Sequence, residues 1–159
     1  MRGMLLRVVR NLSLEEVRKR IEEFEKQYGM KFEEFEELFL KRKANRYLIG
    51  EYVEWAELVH AYHGYIESGE LDYAREEFRE LTPTENSLLT PKRLELLHNL
   101  ANLHIESIND LAQKTRRNVK NVYQDLLVLK KLGFVTFKKK GKRNIVPETP
   151  LRELTLLIR

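Results

Sequence analysis

The sequence predicts a mainly α chain: an N-terminal helical domain followed by a helix-turn-helix that carries a β-hairpin wing. Three observations lead there. Between Ser107 and Gly133, two apolar stripes at helical spacing are separated by a polar break at Thr115-Arg116-Arg117, and a β-prone, lysine-rich segment follows. Upstream, segments between Leu12 and Leu81 repeat apolar residues every three or four positions. No apolar run approaches the roughly 20 residues that a membrane span needs, so the chain reads as cytoplasmic.

Taken in order, Met4 to Val9 is apolar around Arg7 and reads as a short strand, though six residues leave the pattern open. Leu12 to Tyr28 is a firmer helix. Ser13 and Glu16 have the spacing of a capping box, and Leu12 and Val17 occupy the two positions of a hydrophobic staple. Val17, Ile21, Phe24 and Tyr28 then line one face, and Gly29 stops the helix. Phe32, Phe35, Leu38 and Phe39 mark a second helix, followed by the basic connector Lys41 to Arg46. Tyr47 to Ile66 is a third, aromatic-rich helix, and Leu71, Ala74, Phe78 and Leu81 suggest a fourth. In the third, Tyr52, Trp55, Val59, Tyr62 and Ile66 recur at spacings of three and four. They serve a helical core, or a surface that meets another chain, since Tyr and Trp are favoured at interface centres.

The C-terminal part starts at Thr90, an N-cap followed by Pro91 at the first helical position, with Leu94, Leu97 and Ala101 facing inward. Ser107 and Asn118 are placed as the next two N-caps. Ile108, Leu111 and Ala112 form one stripe; Val119, Val122, Leu126 and Leu129 form the other, with Gly133 just past its end. Phe134 to Phe137 is β-prone, Lys138 to Arg143 turns around Gly141, and Ile145-Val146 resumes a strand before Pro147. Helix, helix, helix and hairpin in that order make a winged helix-turn-helix. Leu154, Leu156 and Ile158 alternate at strand period, as a strand that pairs with Met4 to Val9 or with a second subunit, or else belong to a short amphipathic helix.

Charge divides the chain. From residue 91 onward 15 Lys/Arg stand against 6 Asp/Glu, a net of +9, whereas residues 1–90 hold 14 and 19, a net of −5. The polar, breaker-bearing stretch from Thr82 to Ser87 is the natural boundary, giving a dimerisation or partner-binding domain over 1–86 and a DNA-binding domain over 87–159. A chain with 34% charged residues and abundant Glu and Lys also suits a thermophile. The absence of cysteine excludes disulfides and thiolate metal sites.

The basic half carries the chemistry. On the second helix of the motif, Lys120, Asn121, Gln124, Val128 and Lys131 fall opposite the apolar stripe. Its N-terminal part is the portion that enters a major groove. Asn121 and Gln124 suit adenine, and Lys120 suits guanine or phosphate. Arg116 and Arg117 at the turn, with Lys138, Lys139, Lys140, Lys142 and Arg143 of the wing, are placed to hold phosphates, and Asn118 between turn and helix counts with the DNA-binding residues. No catalytic or metal site is read: P-loop, GxGxxG and GxSxG patterns are missing. His60 and His63, flanked by Glu57 and Glu67, lack an HExxH-type setting. No cofactor is expected.

Asn118-Val119-Lys120-Asn121-Val122-Tyr123-Gln124-Asp125, followed by Leu129-Lys130-Lys131-Leu132-Gly133-Phe134-Val135, resembles archaeal and bacterial winged-helix regulators related to the MarR group. Several of these are predicted antitoxins of toxin–antitoxin pairs. The resemblance runs from Thr90 to Ile158 and implies operator DNA binding as a dimer, with repression of the protein's own operon. Tyr28 to Phe35 and Tyr52 to Leu58 are similar to a helical segment of small archaeal antitoxins, which implies a cognate toxin as partner. The expectation is therefore a sequence-specific DNA-binding regulator, not an enzyme. The alternative is a winged-helix adaptor that contacts protein in a transcription or repair complex.

Overall fold

The computed structural model describes residues 3–41, 46–141 and 144–158. The chain divides into two units, one formed by Met1–Arg10 with Glu76–Arg159 and the other by Asn11–Arg75. Thr82 to Ser87, where the sequence suggests a boundary, is a short capped helix, α4 (Pro83–Ser87), inside the first unit.

The expectation of a mainly α chain with strands confined to a wing is corrected. Helix makes up 57% and strand 22%, and a three-stranded antiparallel sheet gives the chain an α/β fold. Its strands are β1 (Met4–Asn11), β2 (Ala74–Leu81) and β5 (Leu151–Leu157), with β1 in the middle. The N-terminal and C-terminal segments pair as one of the sequence readings has it: Leu6 lies opposite Leu156 and Val8 opposite Leu154. Leu6 and Val8 are buried. Between them Arg7 points the other way and binds Glu76 of β2, at 2.7 Å, and Glu153 of β5.

β2 is the segment that the spacing of Leu71, Ala74, Phe78 and Leu81 suggests as a fourth helix. In a strand, residues an odd number apart face opposite ways. Leu81 is accordingly buried at 1% exposure while Phe78 is 58% exposed. Ala, Arg, Glu and Leu favour helix locally, but pairing with β1 overrides that preference.

The second unit holds α1 (Leu14–Tyr28), α2 (Phe32–Lys41) and α3 (Ile49–Ser68). The capping box at its start is formed: Ser13 Oγ accepts from the Glu16 N–H at 3.1 Å, and Glu16 Oε1 accepts from the Ser13 N–H at 3.2 Å. Gly29 ends α1 with φ +67°. Trp55 is fully buried, with Phe24 stacked on it at 5.2 Å and Phe35 tilted against it at 5.0 Å. Arg20 reaches Glu54 at 3.1 Å and joins α1 to α3. The Leu12 N–H donates to the Tyr73 carbonyl at 3.0 Å, so the two ends of this unit meet.

In the first unit, Leu6, Val8 and Leu81 of the sheet share a core with α5 (Pro91–Asn102), α6 (Ile108–Thr115) and α7 (Val119–Lys131). The buried face of α5 is Leu96, Leu97 and Leu100; Leu94 and Ala101, expected inward, are exposed. Val122, Leu126 and Leu129 of α7 are buried as expected, but Val119 in its first turn is 43% exposed. The hairpin consists of β3 (Thr136–Lys140) and β4 (Asn144–Glu148), with Lys138 opposite Val146. No helix among the described residues is long and apolar enough to cross a membrane.

Candidate nucleic-acid interface

The candidate face is built from α6, α7 and the hairpin. Ser107 caps α6 by accepting from the Asp110 N–H at 3.0 Å. Asp110 in turn accepts from the Glu106 N–H at 2.9 Å and from Lys114 at 3.1 Å. The Glu106 backbone bond first, and Lys114 second, hold the Asp110 carboxyl below its ordinary value of 3.8. A carboxyl whose value falls on folding contributes stability that is present above its unfolded value and lost as pH falls through the folded one. Asp110→Asn is therefore expected to be less stable than the parent at neutral pH. The gap should close below pH 3.8, as read from urea midpoints at a series of pH values.

α6 ends at Arg116, which has φ +54° and ψ +46° and is the sole non-glycine residue with positive φ among the described residues. The left-handed region is unfavourable for a residue with a Cβ, but it lets the Arg117 N–H bond back to the Ala112 carbonyl at 2.9 Å and turns the chain sharply. Asn118 then caps α7: its Oδ1 accepts from the Lys120 and Asn121 N–H groups at 2.8 and 3.4 Å. Asn118 is thus spent largely on the helix itself.

Lys120, Asn121 and Gln124 are exposed on α7, as the sequence reading expects. Lys131 is exposed on the same helix, while Val128 is half-buried. Leu127, which the periodicity did not single out, is 41% exposed between the charged positions. Lys138, Lys139 and Lys140 are exposed along β3; Lys142 and Arg143 lie outside the described residues. Arg116, Lys120, Lys131 and the three β3 lysines make no ion pair with a described residue, unlike Arg117, which binds Asp125 at 2.6 Å.

Two contacts set the hairpin against α7. Phe137 of β3 stacks with Tyr123 at 6.5 Å, and Lys130 sits over the Phe137 ring at 4.9 Å. At the C-terminal end of α7, Arg79 of β2 donates to the Leu132 carbonyl at 2.7 Å and lies over Phe134 at 4.9 Å. A cation there satisfies an orphan carbonyl and matches the negative end of the helix. Gly133, with φ +85°, makes the turn into Phe134 beside it. Arg79 escapes sequence reasoning because its segment reads as a helix.

In the second unit, the stripe read as a partner surface packs largely into the unit's own core. Trp55 is fully buried, and Tyr52, Val59 and Tyr62 are half-buried against the same cluster. Tyr52 stacks on Phe39 at 4.4 Å and donates to Glu36 at 2.7 Å, a bond that pushes the phenol's value up. Ile66, at 62% exposure, is the one of the five that faces out. His60 and His63 are exposed on α3, and no group of three or more His, Asp or Glu among the described residues is arranged to hold a metal.

No curated protein matches the chain at a significant level. Residues 88–156, from just before α5 into β5, match the model of the HVO_A0114 family.

Proposed function

We propose that the chain binds duplex DNA with sequence preference and regulates transcription by occupying its site. The observation that carries this reading is the set of exposed cations without acidic partners among the described residues — Arg116, Lys120, Lys131, Lys138, Lys139 and Lys140 — around the exposed amides of Asn121 and Gln124. Unpaired positive charge on both a helix and an adjacent hairpin supplies the sequence-independent attraction to phosphate. Amides on the N-terminal half of α7 supply hydrogen-bond donors and acceptors for base edges. Arg116 adds support, because a strained residue kept at an exposed turn calls for a reason other than stability.

A protein-contacting adaptor is the second reading, and one feature favours it. Val119, Tyr123 and Leu127 are each more than 40% exposed and follow one another at four-residue spacing along α7. Binding to the duplex upstream of the protein's own gene and to a scrambled duplex, across a salt series, separates the two. Regulation requires tighter binding to the natural sequence and a steep loss with salt. Absence of duplex binding at low salt overturns the DNA reading and leaves the adaptor.

A further inference from the structure

The turn between α6 and α7 presents two adjacent arginines, and the sequence treats them alike. The structure separates them. Arg117 Nη2 donates to Asp125 Oδ2 at 2.6 Å, and Arg93 Nε donates to Asp125 Oδ1 at 3.0 Å. Each carboxylate oxygen thus holds one guanidinium. Arg93 also donates to the Leu88 carbonyl at 3.0 Å, so the cluster ties the segment before α5, α5 itself, the turn and α7 together. The side chains of Asp125, Arg93 and Arg117 are 14%, 22% and 23% exposed. At that depth the attraction is less screened than at the open surface, and removing one partner leaves a half-buried charge uncompensated. Arg116 differs in every respect: it is exposed, left-handed and makes no ion pair with a described residue.

We infer that Asp125 is a positioning residue that withdraws Arg117 from the phosphate-binding set and uses it, with Arg93, to brace the turn, leaving Arg116 as the cation the turn offers to DNA. This rests on the DNA-binding reading above. The brace fixes the start of α7, where Lys120, Asn121 and Gln124 lie, so register on the duplex depends on a cluster that does not touch it. A free Arg117 would add affinity without sequence preference, because phosphate contacts position and base contacts specify.

The test uses the whole chain and a generic duplex. Arginine modification by phenylglyoxal, read by mass spectrometry, is expected to label Arg116 rapidly in the free protein and slowly with DNA bound, and to label Arg117 slowly in both. In the variants, Arg116→Gln is expected to lower the slope of log affinity against log salt by about 0.9, the effect of one phosphate contact. Arg117→Gln leaves the slope unchanged and lowers the melting temperature. Asp125→Asn lowers it too, and the double variant loses less than the two single losses together. Protection of Arg117 by DNA, or equal slope losses for the two arginine variants, overturns the inference. If the wild-type chain binds no duplex, the functional reading fails instead. Labelling of the free protein still decides the brace, since rapid modification of Arg117 rules it out.

Discussion

Trp55→Ala is expected to remove about 3–5 kcal/mol of unfolding free energy, the range for truncating a fully buried aromatic side chain. Trp55 has no exposed surface and touches Phe24 and Tyr28 of α1 and Phe32 and Phe35 of α2. Among the described residues no other joins so many rings of the second unit, and truncation there leaves a cavity that the neighbours refill only in part. Its Nε1 is buried without a hydrogen-bond partner among the described residues. Trp55→Phe, which keeps a ring and deletes that N–H, is therefore expected to lose much less than the alanine variant. Ile66→Ala, on the same helix but exposed, is expected to stay within about 0.5 kcal/mol of the parent. Urea unfolding followed by far-UV circular dichroism checks all three, because the variants at 55 lack the chain's single tryptophan. A Trp55→Ala loss no larger than that of Ile66→Ala would mean that the ring serves a partner and not the core.

Replacing Lys138, Lys139 and Lys140 together by alanine is expected to make the salt slope of DNA binding shallower by about 2.7, at about 0.9 per phosphate contact. Extrapolated from 1 M reference salt, that slope corresponds to about 500-fold weaker binding at 0.1 M. The three side chains are exposed and carry no ion pair with a described residue, so stability should change by less than about 0.5 kcal/mol. The hairpin itself is held by Phe137 on Tyr123 and Lys130, contacts that the substitutions leave in place. Fluorescence anisotropy on a labelled duplex across a salt series reads the slope. An unchanged slope would remove the hairpin from the DNA face.

Local signals in this sequence were legible wherever the structure satisfies them locally. Ser13, Thr90, Ser107 and Asn118 each cap the helix that their position announces, and Gly29 and Gly133 take the positive φ expected at a helix end. What failed depended on distant partners. The segment Ala74–Leu81 has helix-forming residues and a passable helical stripe, and only β1, far away in the chain, makes it a strand. On α5, Leu94, Leu96, Leu97, Leu100 and Ala101 allow two apolar faces, and the position of the neighbouring elements chooses the one with Leu96. The candidate site follows the same division. Exposure of Lys120, Asn121 and Gln124 follows from periodicity alone, whereas the pairing of Arg117 with Asp125 requires the turn to be folded. Tyr52, Trp55, Val59 and Tyr62 illustrate a further ambiguity, since an aromatic stripe has the same spacing whether it meets its own chain or another.

The pairing of β1 with β5 has a consequence for the order in which the protein is made. Leu5 meets Leu157, so a strand near the beginning of this sequence waits for one near its end, and the whole of Asn11–Arg75 is translated in between. That inserted unit has its own core and its ends joined at Leu12 and Tyr73. It has everything needed to fold while the ribosome is still working, as domains generally do. The unit with the basic face cannot close its sheet until β5 has emerged. An elongating chain stalled before Leu151 would thus carry a finished helical unit beside an unfinished sheet whose central strand has one open edge, and any DNA-binding competence would arrive last.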